Sequence, residues 1–162
     1  MKRNINDMNF FSSFNKVLAA FEKYSIDYIL NGGYAVALYG IPRATNDIDI
    51  FVKPEEKNFA NLRKALNEVF NDVTINDIKL IDKEEYSVTR YGTPEGHAID
   101  ILVKLEELYD YYNIKFHEIE IEKTKIKIAD IDSLIKLKEN TFRNIDKDDI
   151  YYLRKLKKDA GI

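Results

Sequence analysis

One short segment constrains the fold most: charged and apolar residues alternate in Asp47–Val52, and Pro54 follows it. Successive side chains of a strand point to opposite faces, so Asp47 and Asp49 share one face and the aliphatic residues take the other. The pattern predicts a strand with an apolar face in the core. A solvated strand at the edge of an antiparallel sheet gives the same alternation, and on this segment alone we favour that interpretation.

The segments around this strand alternate between helical and extended patterns. Apolar spacing predicts a helix over 9–24, a strand over 28–30, a helix over 34–39 closed by Gly40, and a helix over 55–70 opened by Pro54. Strands are predicted at 78–81, 86–91 and 98–103, the last two joined by a turn at 92–96, and at 114–121 and 125–128 around a turn at 122–124. Asp130 or Asp132 caps another helix, and a final helix begins near Asp146 and ends near Lys158.

This mixture predicts an α+β fold, with a small mixed sheet flanked by helices and followed by C-terminal helices. The 162 residues, 45% of them hydrophobic, suit a single domain over 1–162.

The absence of cysteine excludes disulfides, thiolate zinc sites and a cysteine nucleophile. No secretion signal and no apolar run of membrane-spanning length is found, so we expect a cytoplasmic protein that does not bind membranes.

Two further features accompany the aspartate pair. Gly32-Gly33 lies between a predicted strand and a predicted helix, where backbone amides can approach phosphate oxygens, although a glycine pair alone usually marks only a turn. Asp100 lies in a run that is otherwise apolar. A carboxylate buried there needs a partner, and a metal shared with Asp47 and Asp49 would supply one.

In this order, Gly32-Gly33, the segment 43–49 and Ile99-Asp100-Ile101 resemble the nucleotidyltransferase superfamily, whose members are DNA polymerase beta-like. Its pattern is a Gly-Gly or Gly-Ser turn, a helix, an Asp-x-Asp strand and a later strand with a third Asp. The segment 134–138, followed by Arg143, Asp146, Asp149-Ile150 and Leu153, resembles bacterial members close to the AbiEii-type toxins and their uncharacterised relatives. Those relatives often have Lys before the residue matched by Asp146, where this chain has Ile145.

The resemblance implies transfer of a nucleoside monophosphate from a nucleoside triphosphate to a hydroxyl acceptor. It implies that Asp47, Asp49 and Asp100 are the catalytic residues and the ligands of two Mg²⁺ ions, with Asp100 also helping to deprotonate the acceptor. The candidate nucleotide contacts are Gly32, Gly33, Arg43, Thr45 and Lys138. A solvated helix face with weak ion pairs would also explain Lys138, Arg143 and Asp146, and the sequence leaves the roles of Arg143 and Asp146 open.

Three functions stay open on the sequence. A toxin-like enzyme would modify tRNA or a protein and would have an antitoxin partner. A small-molecule enzyme would modify an antibiotic, as lincosamide-type and aminoglycoside-type nucleotidyltransferases do. A regulatory module would bind nucleotides without catalysis. The net charge of -3 argues against a generally basic protein, but cations at 154–158 make local RNA contact a secondary hypothesis. Nothing in the sequence indicates an oligomeric state.

Overall fold

The computed structural model describes residues 5–80, 87–139, 141 and 143–162. The helices are α1 (Ile5–Lys23), α2 (Gly32–Leu38), α3 (Glu56–Phe70), α4 (Ile131–Glu139) and α5 (Asn144–Asp159). The strands are β1 (Tyr28–Asn31), β2 (Asp47–Val52), β3 (Ser87–Gly92), β4 (Ala98–Leu105), β5 (Tyr109–Asp110), β6 (Phe116–Ile121) and β7 (Thr124–Ala129).

The described strands form one mixed sheet in the order β3-β4-β2-β1-β7-β6, with β5 paired to β4. β2 runs parallel to β4 and β1 runs parallel to β7, whereas the other pairs are antiparallel. Helix α1 packs on α3 and β7, α2 packs on β1 and β2, and α4 packs on α5. A mixed sheet flanked by helices and followed by two C-terminal helices confirms the predicted fold class.

The position of β2 corrects the interpretation that its aspartates lie on a solvated edge strand. β2 has β4 on one side and β1 on the other, so it is a central strand. Ile48, Ile50 and Val52 are fully buried, and Phe51, on the aspartate face, is buried as well. The two aspartates therefore lie on a strand that is covered on both faces for much of its length.

The predicted strand at 78–81 is wrong for its described part. Residues 78–80 form no strand, and they follow a turn of 3₁₀ helix, Val73–Asp77, which Asp72 caps by accepting a hydrogen bond from the Thr74 amide at 3.0 Å. The Arg63 guanidinium donates to the Ile78 carbonyl at 2.8 Å, so a side chain takes the place of a neighbouring strand there. Residue 81, like residue 86 of the next predicted strand, lies outside the described residues.

Three smaller features complete the comparison with the sequence. Helix α2 begins at Gly32 itself, so the glycine pair is the first turn of the helix and not a separate loop. The short strand β5 was not predicted. In the described part of the chain, no helix has both the length and the apolar character needed to cross a membrane.

Candidate active site

Four polar side chains form a row across the sheet. β1 and β2 pair so that Asn31 faces Asp49, β2 and β4 pair so that Asp49 faces Asp100, and β3 and β4 pair so that Arg90 faces Asp100. Residues that face each other on neighbouring strands project to the same side of a sheet. Asp47, two residues before Asp49, projects to that side as well. The structure thus brings together the three aspartates that the sequence singled out.

The surroundings of Asp49 and Asp100 favour the protonated forms of these two carboxyl groups. Burial, together with the negative charges of Asp100 and Asp47, raises the pKa of Asp49 to about 6, against the opposing effect of Lys138 and Arg143. Burial also raises the pKa of Asp100, although Arg90 opposes this shift. A carboxylate held where its charge is disfavoured indicates a site prepared for a cation.

Arg90 is the side chain in direct contact with two of these acids. Its Nη2 donates to Asp47 Oδ2 at 3.0 Å, and its Nη1 lies 3.1 Å and 3.3 Å from the two carboxylate oxygens of Asp100. The Arg90 side chain is 60% exposed, so it reaches the carboxylates from the solvent side. Sequence reasoning gave Arg90 no role.

The two glycines permit close approach between α2 and charged side chains. Gly32 has φ of +68°, and a Cβ atom there would overlap the Asp49 carboxylate. A Cβ atom at Gly33 would overlap the Arg43 guanidinium. Asn31, just before them, is 6% exposed, and its Nδ2 atom has no hydrogen-bond partner among the residues described. The glycine pair thus lets the start of α2 lie directly against Asp49.

A second group of polar side chains is here called the C-terminal charge cluster. It consists of five charged residues and one threonine: Arg43, Lys138, Arg143, Asp146, Asp149 and Thr141. Lys138 Nζ lies 3.0 Å from Asp146 Oδ1 and 2.9 Å from Asp149 Oδ2, and Arg43 Nε lies 3.0 Å from Asp149 Oδ1. The exposed fractions of the Arg43 and Lys138 side chains are only 11% and 7%. These two predicted nucleotide contacts are therefore paired with carboxylates of α5.

Asp146 is the most heavily bonded member of this cluster. Besides Lys138, it accepts hydrogen bonds from Thr141 Oγ1 and from Arg143 Nε, both at 2.7 Å. Its side chain is 1% exposed. These hydrogen bonds overcome the effect of burial and hold the pKa of Asp146 well below its usual range. The charged residues of the C-terminal signature thus have a visible structural task, which is to attach α5 to α4 and to the loop before β2.

Thr45, the remaining predicted nucleotide contact, lies next to the aspartate pair. Its hydroxyl donates to the Asp47 carbonyl oxygen at 3.1 Å. This bond fixes the chain where it enters β2 and so helps to place the Asp47 side chain.

The arrangement suits a metal that takes part of its ligands from a substrate. Within the described residues, no three acidic, histidine or cysteine side chains converge closely enough to form a complete metal site. Mg²⁺ rarely needs such a cage, because it usually binds one or two carboxylates together with water and substrate phosphates. Asp47, Asp49 and Asp100, on one face and with Asp49 partly buried, match that donor chemistry.

A family model described as "Nucleotidyl transferase AbiEii toxin, Type IV TA system" matches residues 16–144. The chain belongs to this family. As an AbiEii-family protein it is a nucleotidyltransferase, and all three aspartates, both glycines, Thr45, Arg90 and Lys138 fall within the matched residues. The match ends at the start of α5, so Asp146 and Asp149 lie beyond it. The comparison with curated proteins gives no match.

Solved structures resemble this AbiEii-family chain in fold. The lincomycin-bound lincosamide antibiotic adenylyltransferase LnuA has a TM-score of 0.62 at 20% identity, covering 90% of this chain and 96% of that one. The antibiotic-resistance factor ANT(2'')-Ia has a TM-score of 0.62 at 15% identity, with coverages of 95% and 85%. An antigenic nucleotidyltransferase-like protein from Paracoccidioides brasiliensis has a TM-score of 0.58 at 20% identity, with coverages of 90% and 75%. At these identities the likeness establishes the fold alone.

Proposed function

We propose that the chain transfers a nucleoside monophosphate from a nucleoside triphosphate to a hydroxyl acceptor, using Mg²⁺ bound by Asp47, Asp49 and Asp100. The observation that carries this proposal is the register of two central parallel strands, which puts Asp49 beside Asp100 on one face. Asp47 shares that face, and Gly32 leaves room for the Asp49 carboxylate at the start of α2. Three acids that a single guanidinium, that of Arg90, neutralises only in part are suited to a metal and a triphosphate.

The three aspartates have different roles in this reaction. Asp47 and Asp49 would hold two Mg²⁺ ions, which supply charge neutralisation on the triphosphate when bound. Asp100 would also bind one of these ions, and it would help to deprotonate the acceptor hydroxyl by accepting its proton. The acceptor oxygen bonds to the α-phosphorus, the bond from that phosphorus to the bridging oxygen of the β-phosphate breaks, and pyrophosphate leaves with the electron pair.

The proposed nucleotide contacts fall into two groups, one directly beside the carboxylates and one in the C-terminal charge cluster. Gly32 and Gly33 bring the first amides of α2 close to the carboxylates, where they can donate to phosphate oxygens. Arg43 and Lys138 are held in the C-terminal charge cluster, and Lys138 is near enough to lower the pKa of Asp49. We assign these two cations an electrostatic role in attracting the triphosphate, and we assign Thr45 the role of positioning Asp47.

A groove along α5 favours an RNA acceptor such as tRNA. Four cations, one acid, one aromatic ring and one aliphatic residue line it: Lys147, Arg154, Lys155, Lys158, Asp159, Tyr151 and Ile150. Cations on one helix face attract a phosphate backbone, and an exposed tyrosine can stack on a base. The helix begins next to Arg143, whose charge acts on Asp49. This groove therefore leads away from the proposed centre.

A small-molecule acceptor is the second candidate. The fold likeness to a lincosamide antibiotic adenylyltransferase covers 96% of that protein, so a chain of this size suffices to bind an antibiotic as well as a nucleotide. A small acceptor would make no use of the basic groove on α5. Whether the label from the nucleotide appears on tRNA or on an antibiotic separates the two candidates.

The test compares the wild type with Asp49→Asn, and with Asp77→Asn as a control at an exposed acid outside the site. Each protein is incubated with Mg²⁺, each α-³²P-labelled nucleoside triphosphate in turn, and tRNA, cell-extract protein, a lincosamide or an aminoglycoside. We expect label on tRNA with the wild type and Asp77→Asn, and a loss of at least about 10³-fold with Asp49→Asn. Label on an antibiotic alone would support the second candidate. No transfer by the folded wild type, without a melting-temperature rise in Mg²⁺ and nucleotide, would contradict both.

The groove is tested by Lys155→Glu against Lys64→Glu, the same charge change at an exposed site on α3. If RNA lies along α5, Lys155→Glu raises the KM for RNA by about tenfold and leaves the KM for the nucleotide unchanged. Lys64→Glu is expected to change neither. Equal effects of the two variants on RNA would contradict the proposed path.

A further inference from the structure

Arg90 lies between two of the proposed metal ligands. It comes from β3, whose register sets it directly opposite Asp100 on β4. Both terminal nitrogens of its guanidinium are used, Nη2 on Asp47 Oδ2 at 3.0 Å and Nη1 on Asp100 Oδ2 at 3.1 Å. A planar guanidinium can bridge two carboxylates in this way because its donors point in fixed, diverging directions.

Arg90 differs from Lys138, another cation near the carboxylates, in how freely it can leave. Lys138 is 7% exposed and is held by two aspartates of α5. The Arg90 side chain is 60% exposed, and the described residues hold it only through the two acids that it bridges. Exposed ion pairs are weak, so little free energy keeps the guanidinium in place. The arginine is therefore in contact with the acids and also mobile enough to be exchanged.

The carboxylate oxygens that Arg90 contacts are the ones a divalent cation needs. A guanidinium and a metal ion compete for Asp47 Oδ2 and Asp100 Oδ2, because two positive charges held by the same oxygens repel each other at close range. A guanidinium released from these acids still points into the site from the solvent side. There it would meet the negative charge of a triphosphate, which guanidinium groups bind well.

We propose that Arg90 is an exchangeable counter-ion: it competes with the divalent cation for Asp47 and Asp100, and after release it binds the triphosphate. This inference rests on the proposed function, since it takes these acids to be metal ligands. It assigns Arg90 two opposed effects, weaker binding of the metal alone and stronger binding of the nucleotide. A residue that only kept the carboxylates in place would strengthen both.

The experiment measures binding without turnover. Mn²⁺ alone is titrated into the wild type, Arg90→Gln and Lys23→Gln, and the free ion is followed by electron paramagnetic resonance. Lys23→Gln is the matched control, because Lys23 is 64% exposed and pairs with one carboxylate, Glu68, at 2.8 Å. A non-hydrolysable α,β-methylene nucleoside triphosphate is then titrated calorimetrically into each protein at saturating Mn²⁺.

With Arg90→Gln we expect Mn²⁺ to bind about fivefold more tightly and the triphosphate analogue about tenfold more weakly, while Lys23→Gln matches the wild type in both. Arg90→Lys keeps the charge but not the bridging geometry, and its affinity for Mn²⁺ is expected to lie between those of the wild type and Arg90→Gln. Unchanged or weaker Mn²⁺ binding by Arg90→Gln or Arg90→Lys would overturn the proposal, as would unchanged binding of the analogue. Absence of Mn²⁺ and analogue binding by the folded wild type would instead refute the proposed function.

Discussion

The molecule contains two groups of charges that lie close together and are built in opposite ways. The proposed centre contains three carboxylates, those of Asp47, Asp49 and Asp100, and one exposed guanidinium, that of Arg90, pairs with two of them. In the C-terminal charge cluster, Asp146 and Asp149 are 1% and 4% exposed and are matched by cations on Arg43, Lys138 and Arg143. One group has an excess of negative charge, and the other is closed and internally paired.

The opposite pKa shifts express this difference. Burial and neighbouring acids raise the pKa of Asp49, whereas hydrogen bonds from Arg143, Thr141 and Lys138 lower the pKa of Asp146. A buried charge that is fully paired holds a structure together, while a charge left without sufficient compensation indicates a place for a ligand. Buried acids in one small protein can therefore be sorted into structural and functional groups by counting their partners.

The largest expected effect on stability comes from removing the carboxylate of Asp146 from the C-terminal charge cluster. Asp146→Ala removes the anion that Lys138, Thr141 and Arg143 share, and it leaves Lys138 buried with too little negative charge. We expect the free energy of unfolding at pH 7 to fall by about 3 to 5 kcal/mol, as measured by urea denaturation. Asp148→Ala, at an exposed position of the same helix, is the control and should cost less than about 0.5 kcal/mol. Similar losses for both would show that the closed group does not stabilise the fold.

An intermediate effect of opposite sign is expected at Asp49. Its pKa is raised to about 6, so the wild type loses stability as pH rises from about 4 to above 6, where the folded protein must ionise a group that it prefers protonated. Asp49→Asn lacks this ionisation. In chelator at pH 7 we expect the variant to be more stable by about 2 to 3 kcal/mol, with the difference vanishing near pH 4. If the difference in stability between the wild type and Asp49→Asn did not change with pH, the ionised Asp49 would not destabilise the fold, and the proposed difference between the two groups of charges would be wrong.

The smallest effect tests how closely α2 approaches the carboxylates. Gly32 and Gly40 both have positive φ, so alanine strains the backbone at either position by about 1 kcal/mol. Gly40→Ala meets no described atom within 4 Å, whereas Gly32→Ala overlaps the Asp49 carboxylate. We expect Gly32→Ala to be less stable than Gly40→Ala by about 1 kcal/mol in thermal denaturation and to lose nucleotidyl transfer at least tenfold. Equal stability and activity of the two would mean that the carboxylate simply moves aside.

Most of the fold could be predicted because its elements carry strong local patterns. The alternation in Asp47–Val52, the helical spacing before Tyr28 and the apolar runs at 98–103 and 125–128 all correspond to described elements. The predictions that were wrong concern features that depend on contacts between distant residues, which local patterns do not reveal. The central place of β2 depends on parallel pairing with β4, a long-range contact, and the segment 78–80 depends on a hydrogen bond from Arg63.

The site was predicted in its acids but not in its cations. Asp47, Asp49 and Asp100 stand out because acids are rare in apolar strands, and the structure brings them together. Arg90 was missed because its place opposite Asp100 depends on the register of the hairpin, which the strand patterns alone do not specify. The observed pairing of Gly92 with Ala98 is what aligns Arg90 with Asp100. Arg43 and Lys138 were singled out as nucleotide contacts, and their pairing with α5 could not be read from residues so distant in sequence.

The pairing of Arg43 with Asp149 also bears on how the chain is made. Arg43 lies before β2, in the first part of the chain, and its partner lies in the last helix. On the ribosome, Asp100 emerges only after β2 and α3, and Asp149 emerges later still. A nascent chain therefore cannot assemble the proposed centre before β4 has been made, and it cannot close the cluster beside it before α5 has been made. The proposed centre thus forms first during synthesis, and the ion pairs that attach α5 beside it form afterwards.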